Sequence, residues 1–336
     1  MCTSFRLTAE DKSVVVGRSY ESHEVLDAKI TMIPRGFRGA SIGPNNTEGK
    51  TWTSKYGVVG VDAFGIAEMM SDGMNEKGLY AGLQLMPGFC EYTPSDQAIS
   101  EKSMVVCHVA AYVLGTSATV GEACEAMNEV TLWSDVPHHN PLAPPMHITL
   151  HDKSGDSAVL EWRQGEMIVH ENPIGVVCDA PYFDWHVDNL RNYLNLSTLN
   201  PDSSTINGVE VKAMWQGAGM QGLPGDWSSP SRFVRTTSYI SHLRPIATGK
   251  ELEKSAFHLL NAFDIPKGLI RGDEQVANDA FTPWSSMSNL TDLRYAIRTY
   301  GNSVPHLVDL KNVDFDRSEP VQIPLPEEEH FVTLSL

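Results

Sequence analysis

The chain has 336 residues, of which 41% are hydrophobic and 20% are charged, and its formal net charge is −17. This length and composition exclude a disordered chain and suffice for one large folded domain. The strongly negative charge argues against nucleic acid and anionic membrane surfaces as partners.

Five cysteines are scattered along the chain without a C-x-x-C pair or a metal-ligand spacing: Cys2, Cys90, Cys107, Cys124 and Cys178. Such a pattern is typical of reduced thiols. The chain shows neither a secretory leader nor an apolar run of about 18 residues. We therefore expect a cytoplasmic protein without membrane span, cofactor or metal. The adjacent His138 and His139 lack a partner at ligand spacing, so they do not predict a metal site.

The first twenty-one residues predict two strands, over 2–7 and 13–19, joined by a polar turn. This hairpin would bring Cys2 close to Arg18 and Glu21. If Met1 is removed, Cys2 carries both a thiol and a free α-amine, whose ordinary pKa is about 7.7–8.0. One residue can then supply the nucleophile and its general base. The opening of the chain thus predicts an N-terminal nucleophile.

Strands and helices follow in separate groups along the chain. Further strands are predicted over 28–33, 52–62, 65–70, 79–85, 147–152, 157–163, 166–170, 174–178, 290–299 and 304–310. Helices are predicted over 101–114, 118–128, 183–194, 228–242 and 250–263. Thr116 or Ser117 would cap the second helix, with Glu122 in its first turn.

This order is not a strict β-α alternation, so it predicts an α+β domain with mostly antiparallel sheets. No linker or repeat divides the chain, and we expect a single domain over 1–336. The polar, glycine-rich stretch 195–221 predicts an excursion that contacts another subunit, and 317–336 predicts a surface tail. The chain contains no G-x-S-x-G elbow, Walker loop or G-x-G-x-x-G motif, which argues against the common hydrolase and nucleotide sites.

Several short motifs, taken together and in order, resemble the choloylglycine hydrolases, which include conjugated bile salt hydrolases and penicillin V acylases. They are Met-Cys-Thr at 1–3, Gly-Arg at 17–18, Met-Asn-Glu-Lys-Gly-Leu at 74–79, Ala-Gly-Leu at 81–83, Asn-Pro-Ile-Gly-Val at 172–176, Pro-x-Phe-Asp-Trp at 181–185, Asn-Leu-Arg-Asn-Tyr at 189–193, Gly-Leu-Pro-Gly-Asp at 222–226, Ser-Arg-Phe-Val-Arg at 231–235, Ile-Pro-Lys-Gly at 265–268 and Arg-Thr-Tyr at 298–300. The resemblance implies a four-layer αββα sandwich of the N-terminal-nucleophile type. It also implies a homo-oligomer, a tetramer or a dimer, with 195–221 in the place of the assembly segment.

The same resemblance implies roles for three residues that match the family pattern. Cys2 corresponds to the nucleophile and α-amine base. Arg18 corresponds to an arginine against the thiol, where a fixed cation favours the thiolate. Arg232 corresponds to a distal arginine that organises the pocket.

Three further positions depart from the family pattern. Glu21 stands where an aspartate near the α-amine is usual, and Gln84 stands where an asparagine or tyrosine is usual. Asp179 stands where the family has an oxyanion-hole asparagine, and an ionised aspartate repels a developing oxyanion. Asp179 is therefore protonated, or another donor replaces it, or the enzyme is slow or redirected.

Together the residues and the resemblance predict an enzyme that hydrolyses a linear amide of a small-molecule acyl group through a Cys2 thioester. The substrate is expected to be a conjugated bile salt. Penicillin V and an N-acyl homoserine lactone are the alternatives. A second hypothesis is a catalytically degenerate member that binds acyl amides, suggested by the departures at Glu21 and Asp179.

Overall fold

Two large antiparallel sheets stack face to face and carry helices on their outer faces. The computed structural model describes residues 1–23, 26–134, 143–271, 279–328 and 333–335. The histidine pair at 138 and 139 lies outside these residues. None of the helices in the described ranges combines the length and the apolarity that a bilayer span requires.

The strands and α-helices are numbered in chain order. The strands are β1 Cys2–Thr8, β2 Val14–Ser22, β3 Lys29–Ile33, β4 Arg38–Ile42, β5 Glu48–Thr53, β6 Val58–Ala63, β7 Ile66–Asn75, β8 Leu79–Leu85, β9 Thr93–Pro94, β10 Ser103–Met104, β11 Thr131–Ser134, β12 Met146–Asp152, β13 Ser157–Arg163, β14 Glu166–Glu171, β15 Val176–Cys178, β16 Ser204–Ile206, β17 Val209–Val211, β18 Phe281–Asn289, β19 Arg294–Thr299, β20 His306–Asp309 and β21 Val321–Pro324. The α-helices are α1 Val109–Thr116, α2 Val120–Met127, α3 Phe183–Asn189, α4 Ser229–His242 and α5 Gly249–Leu260.

The first sheet has the order β15-β1-β2-β18-β19-β20, and all its neighbouring strands are antiparallel. Its β1–β2 hairpin confirms the predicted start of the chain. The register places Cys2 opposite Tyr20 and Ser4 opposite Arg18. Because directly opposed residues of an antiparallel pair point to the same side, Cys2 and Arg18 share one face of this sheet.

The second sheet has the order β14-β13-β12-β8-β7-β6-β3-β21 and is also antiparallel throughout. Apolar residues of β2, β3 and β6 form the core between the sheets, among them Val14, Ile30 and Val59. Helices α1 and α2 cover the outer face of the second sheet. Helices α3, α4 and α5 cover the outer face of the first sheet, where Phe5 packs. The predicted four-layer αββα sandwich is therefore confirmed.

Four local predictions were wrong. The strand predicted over 52–62 is two strands, because β5 ends at Thr53 and β6 begins at Val58. The helix predicted over 101–114 begins only at Val109. Residues Ser103–Met104 instead form β10, which pairs with β11. The cap of α2 is Thr119, whose Oγ1 accepts from the Glu122 amide at 3.2 Å, and not Thr116 or Ser117. Residues 290–293 form the turn between β18 and β19, and β18 itself was not predicted.

The 195–221 excursion lies largely exposed and contains the small β16–β17 hairpin. The described part of the 317–336 tail is not only a surface segment. Its strand β21 pairs with β3 and closes one edge of the second sheet. The remaining tail positions 329–332 and 336 lie outside the described residues.

Gly17 tests the close packing next to Arg18. A Cβ added there would lie 2.5 Å from Cζ of Phe5, which is fully buried. Because such overpacking strains a core, we expect Gly17→Ala to lower the free energy of unfolding by roughly 1–3 kcal/mol. Urea unfolding monitored by circular dichroism measures this.

Gly121→Ala in α2 is the matched control, since the nearest atom to its added Cβ is 4.0 Å away. Alanine is the better helix former, so this variant should be neutral or more stable by up to about 1 kcal/mol. Equal stabilities for the two variants would contradict the packing argument.

Candidate active site

Strands β15, β1 and β2 are neighbours in the first sheet, and they position Asp179, Cys2 and Arg18. In the pairing of β1 with β15, Thr3 lies opposite Cys178. The next residue after β15, Asp179, consequently lies beside Cys2. This proximity joins residues that are 177 positions apart, and it depends only on the register of the first sheet.

The thiol of Cys2 faces a buried cation. Arg18 Nη2 lies 3.6 Å from Cys2 Sγ, and Cys2 is 2% exposed. The same guanidinium donates to the carbonyl oxygens of Ser71 at 2.9 Å and Leu83 at 2.5 Å. Arg18 thus links β2 of the first sheet to β7 and β8 of the second, directly beside the Cys2 thiol.

Asp72 on β7 is the counterion of Arg18, and sequence reasoning missed it. Its Oδ1 lies 2.8 Å from Arg18 Nη1, and both side chains are buried. Ser286 on β18 donates to Asp72 Oδ2 at 2.7 Å. The available signal was the position of Asp72 among the apolar residues of the methionine-rich strand 66–75, because a buried carboxylate requires a cation or several donors.

The backbone nitrogen of Cys2 donates to Asp179 Oδ2 at 2.7 Å. This nitrogen is an amide while Met1 is attached and becomes the α-amine when Met1 is removed. Arg232 on α4 holds the same carboxylate through Nη2 at 2.5 Å. Arg232 Nη1 also donates to the Cys2 carbonyl oxygen at 2.5 Å and to Thr3 Oγ1 at 2.6 Å. Asp179 and Arg232 therefore fix the nitrogen and the carbonyl of Cys2 together.

Glu21 lies near this pair but does not contact the Cys2 nitrogen through a hydrogen bond. Its Oε2 is 4.0 Å from Arg232 Nη1. Among the described residues, neither carboxyl oxygen of Glu21 has a hydrogen-bond partner. Between the two carboxylates, Asp179 is the one that binds the nitrogen.

Gln84 on β8 is the member of the predicted set that stands apart. Its Oε1 accepts from Thr149 Oγ1 at 2.8 Å. Its Nε2 is buried and has no partner within the described part of the chain. The guanidinium of Arg18 binds the carbonyl of Leu83, the residue before it. Gln84 therefore offers a free amide donor in the layer between the sheets.

Burial and neighbouring charges set the ionisation of the site. Burial raises the pKa of the Cys2 thiol, although Arg18 opposes this shift. Burial raises the pKa of Glu21 to about 7, against the opposing effect of Arg232. Burial also acts to raise the pKa of Asp179, but the terminal ammonium group and Arg232 outweigh it and leave that pKa below its usual value. The lowered pKa disagrees with the protonated Asp179 considered from the sequence.

This arrangement suits acyl transfer. A thiol whose own pKa is raised needs a base, and the cation at Arg18 favours the thiolate once it forms. The nitrogen of the same residue is close by and is oriented by a carboxylate. Nucleophile, base and orienting group then follow the same logic as a catalytic triad, within one residue and its neighbour.

Comparison with known proteins places the chain among amide hydrolases. The model of the family described as linear amide C–N hydrolases, choloylglycine hydrolase family, matches residues 2–323. A bile salt hydrolase/transferase of Clostridium perfringens is 30% identical over 327 residues, which is 95% of each chain. A penicillin V acylase of Pectobacterium atrosepticum is 29% identical over 321 residues, covering 90% of this chain and 78% of that protein.

The crystal structure of the C2A mutant of the conjugated bile acid hydrolase from Clostridium perfringens is similar over the whole chain. It superposes with a TM-score of 0.86 at 27% identity and covers 100% of both chains. The similarity therefore extends over the sheets, the helices and the excursion alike.

Replacing Glu21 by glutamine tests the raised pKa of this carboxyl. The folded pKa of about 7 lies above the ordinary 4.5, so the folded state binds more protons between these values. The protonated Glu21 carboxyl therefore stabilises the folded state at low pH, and this stabilisation is lost as the pH rises through 7. We expect the wild-type free energy of unfolding, measured relative to Glu21→Gln, to fall by roughly 1–3 kcal/mol from pH 5 to pH 8.

Urea denaturation at four pH values measures this difference. Glu48→Gln on β5 is the control, since its side chain is exposed and lies outside the 195–221 excursion. Its difference from wild type should not change with pH. A pH-independent difference for Glu21→Gln as well would show that the buried carboxyl ionises normally.

Proposed function

Because the chain belongs to the choloylglycine hydrolase family of linear amide C–N hydrolases, we propose that it cleaves the amide of an apolar acyl group through a thioester on Cys2. One observation carries this proposal. The buried Cys2 has its sulfur 3.6 Å from the Arg18 guanidinium and its nitrogen 2.7 Å from the Asp179 carboxylate.

The reaction starts with removal of Met1, which makes the nitrogen of Cys2 a free amine. This amine takes the thiol proton, and the thiolate attacks the amide carbonyl. The C–N bond then breaks as the ammonium returns the proton to the leaving nitrogen, which departs as a neutral amine. Water, deprotonated by the same amine, attacks the thioester, and the acid is released.

Each predicted site residue takes a role in this scheme. Arg18, held by Asp72, stabilises the thiolate. Asp179 and Arg232 orient the amine and the carbonyl of Cys2. Gln84 is proposed as an oxyanion donor, since its buried Nε2 is free of other described partners. Glu21 is proposed as a neighbouring acid that adjusts the charge beside Arg232.

The acyl group is proposed to be bile-acid-like. The bile salt hydrolase/transferase of Clostridium perfringens matches 95% of this chain, and the similar crystal structure is named a conjugated bile acid hydrolase. Penicillin V remains the alternative acyl class, because the Pectobacterium relative is named a penicillin V acylase.

We also propose that the protein works in a reducing, cytoplasmic environment, since all five cysteines are free. Its proposed assembly is a homo-oligomer, a tetramer or a dimer, formed through the 195–221 excursion. Large apolar side chains stand exposed on this segment, including Met214 at 94% and Trp215 at 79%. Exposed apolar groups of this size favour burial against a second copy of the chain.

Cys2→Ala is expected to abolish the hydrolysis of every amide substrate, because both the thioester and the thiol proton are lost. Liquid chromatography of the released acyl acid measures turnover, and intact-mass spectrometry detects a transient acyl adduct in wild type only. Cys178→Ala, a substitution of another buried cysteine, is the control and should keep the adduct.

The same mass spectra decide between the enzyme and a degenerate binding protein. Loss of Met1 together with an adduct supports catalysis. Active protein that retains Met1 would refute the mechanism, because no free amine would then exist on Cys2. Inactive protein that retains Met1 would favour the binding protein.

The double substitution Met214→Glu and Trp215→Glu is expected to shift the protein to smaller species, because it places charges on the proposed contact. Light scattering coupled to size-exclusion chromatography gives the mass. Val304→Glu, at a 47% exposed position outside the excursion, should leave the mass unchanged. An unchanged mass in both variants would exclude this segment as the contact.

A further inference from the structure

Two side chains with no part in the proposed chemistry hold the main chain of Asp179. Ser229 Oγ on α4 donates to the Asp179 carbonyl oxygen at 2.8 Å, and His186 Nε2 on α3 donates to the same oxygen at 2.9 Å. A carbonyl oxygen can only accept hydrogen bonds, so Nε2 of His186 carries the proton. Two donors use both lone pairs of this oxygen, and they fix the peptide plane between Asp179 and Ala180.

The imidazole of His186 is held in one place and is neutral. It is 1% exposed and stacks on Phe233 of α4, with the ring centroids 4.7 Å apart and an angle of 15° between the planes. Burial lowers the pKa of His186 to about 4, although the hydrogen bond to the Asp179 carbonyl opposes this shift. Its Nδ1 is buried without a hydrogen-bond partner among the described residues, so Nδ1 is the unprotonated nitrogen of the ring. Near neutral pH His186 is therefore a fixed donor and not an acid or a base.

Helix α3, which carries His186, is itself anchored on the second sheet. The amide of Phe183, where α3 begins, donates to Glu161 Oε1 at 2.7 Å. Glu161 on β13 is fully buried, and its Oε2 accepts from Arg163 Nη2 at 3.0 Å. His186 lies about one helical turn after Phe183, so this anchor also fixes the height of the imidazole above the sheet.

The main chain of Asp179 determines where its carboxylate lies. Asp179 Oδ2 is 2.7 Å from the Cys2 nitrogen and 2.5 Å from Arg232 Nη2. Arg232 holds only the side chain, so it does not fix the backbone from which the carboxylate extends. A carboxylate at hydrogen-bond distance stabilises the ammonium form of the Cys2 amine, and this stabilisation falls steeply as the contact lengthens or bends. A displaced peptide at residue 179 would therefore weaken the general base.

We infer that His186, together with Ser229, is a positioning residue for the reaction, because it fixes the main chain of Asp179 so that the carboxylate faces the Cys2 amine. The inference rests on the proposed function, in which this amine is the general base. Neither His186 nor Ser229 touches the reacting atoms, and both act through Asp179.

The reactivity of Cys2 toward iodoacetamide tests this role without any amide substrate. Alkylation needs the thiolate, and the Cys2 amine helps to form it by accepting the thiol proton. Protein from which Met1 has been removed is alkylated at pH 7.5, and mass spectrometry of the N-terminal peptide gives the rate. We expect His186→Phe, which keeps a ring against Phe233 but loses the donor, to react at least roughly threefold more slowly than wild type. His186→Gln places an amide donor at about the reach of Nε2, so its rate should stay within about twofold of wild type.

Ser229→Ala and the double variant with His186→Phe test the shared carbonyl. Each single variant leaves one donor on the Asp179 oxygen, whereas the double variant leaves none. The double variant should therefore slow alkylation by more than the product of the two single effects. Val187→Ala is the matched control, because it removes apolar packing of α3 next to His186 and no bond to Asp179. It should keep the wild-type rate, and urea unfolding at pH 7.5 checks that every variant is folded.

Should phenylalanine not be accommodated at position 186, His186→Asn gives the same loss of donor, because its shorter amide does not reach as far as Nε2. Wild-type alkylation rates in the donor-free variants would overturn the inference. Equal slowing by His186→Gln and His186→Phe, or by Val187→Ala, would also overturn it, since packing alone would then explain the effect.

Turnover of glycocholate or penicillin V separates the two proposals. For the amide that wild type hydrolyses, kcat should follow the order of the alkylation rates while KM changes less than about twofold, because only the general base is weakened. If kcat and alkylation are unchanged in the donor-free variants, the amide hydrolase stands and the positioning role is wrong. If wild type hydrolyses neither amide and forms no acyl adduct, the proposed function fails, and the alkylation rates still decide whether His186 positions Asp179 against the Cys2 amine.

Discussion

Two buried ion pairs flank Cys2, and the candidate site depends on both. Arg18 with Asp72 lies under the sulfur, and Arg232 with Asp179 lies beside the nitrogen. Removing one member of such a pair typically costs about 3–5 kcal/mol, because the other charge remains buried without a partner. The charges that lie beside Cys2 are thus also a condition for the fold around it.

The two pairs reach Cys2 from different layers. Asp72 belongs to the second sheet, whereas Arg232 belongs to a helix on the outer face of the first sheet. Cys2 therefore lies at the crossing of three of the four layers. Preorganised charges of this kind act without reorganisation during the reaction, since the packing of the layers already fixes them.

The parts of the fold that follow from local pattern were predictable from the sequence. The β1–β2 hairpin is one such part, because its two strands and turn are consecutive. Strand β18 was not, because Pro283 and the serines around it argue against a central strand. The register of β18 with β2 shifts between Phe281 and Trp284, and this irregularity accommodates the proline. Ser286 on this strand lies opposite Arg18 and donates to Asp72.

The residues of the candidate site also divide into those that the sequence could group and those that it could not. Cys2, Arg18 and Glu21 could be grouped from the hairpin alone. The contact of Asp179 with the Cys2 nitrogen depends on the pairing of β1 with β15, and the contact of Asp72 with Arg18 depends on how two sheets stack. Neither contact corresponds to a recognisable spacing of residues along the sequence. The resemblance to the choloylglycine hydrolases pointed to Asp179, but it did not predict its contact with the Cys2 nitrogen.

Two carboxyl groups, Glu21 and Asp179, lie beside Arg232, and they differ in ionisation. One cation cannot neutralise two carboxylates, so one group keeps its charge and the other is held nearer to neutrality. Asp179 accepts hydrogen bonds from Arg232 and Cys2, and its pKa is lowered. Glu21 accepts none from described residues, and burial raises its pKa to about 7. Asp179, and not Glu21, is thus the carboxylate that binds the Cys2 nitrogen, and the charge of Glu21 beside Arg232 changes near neutral pH.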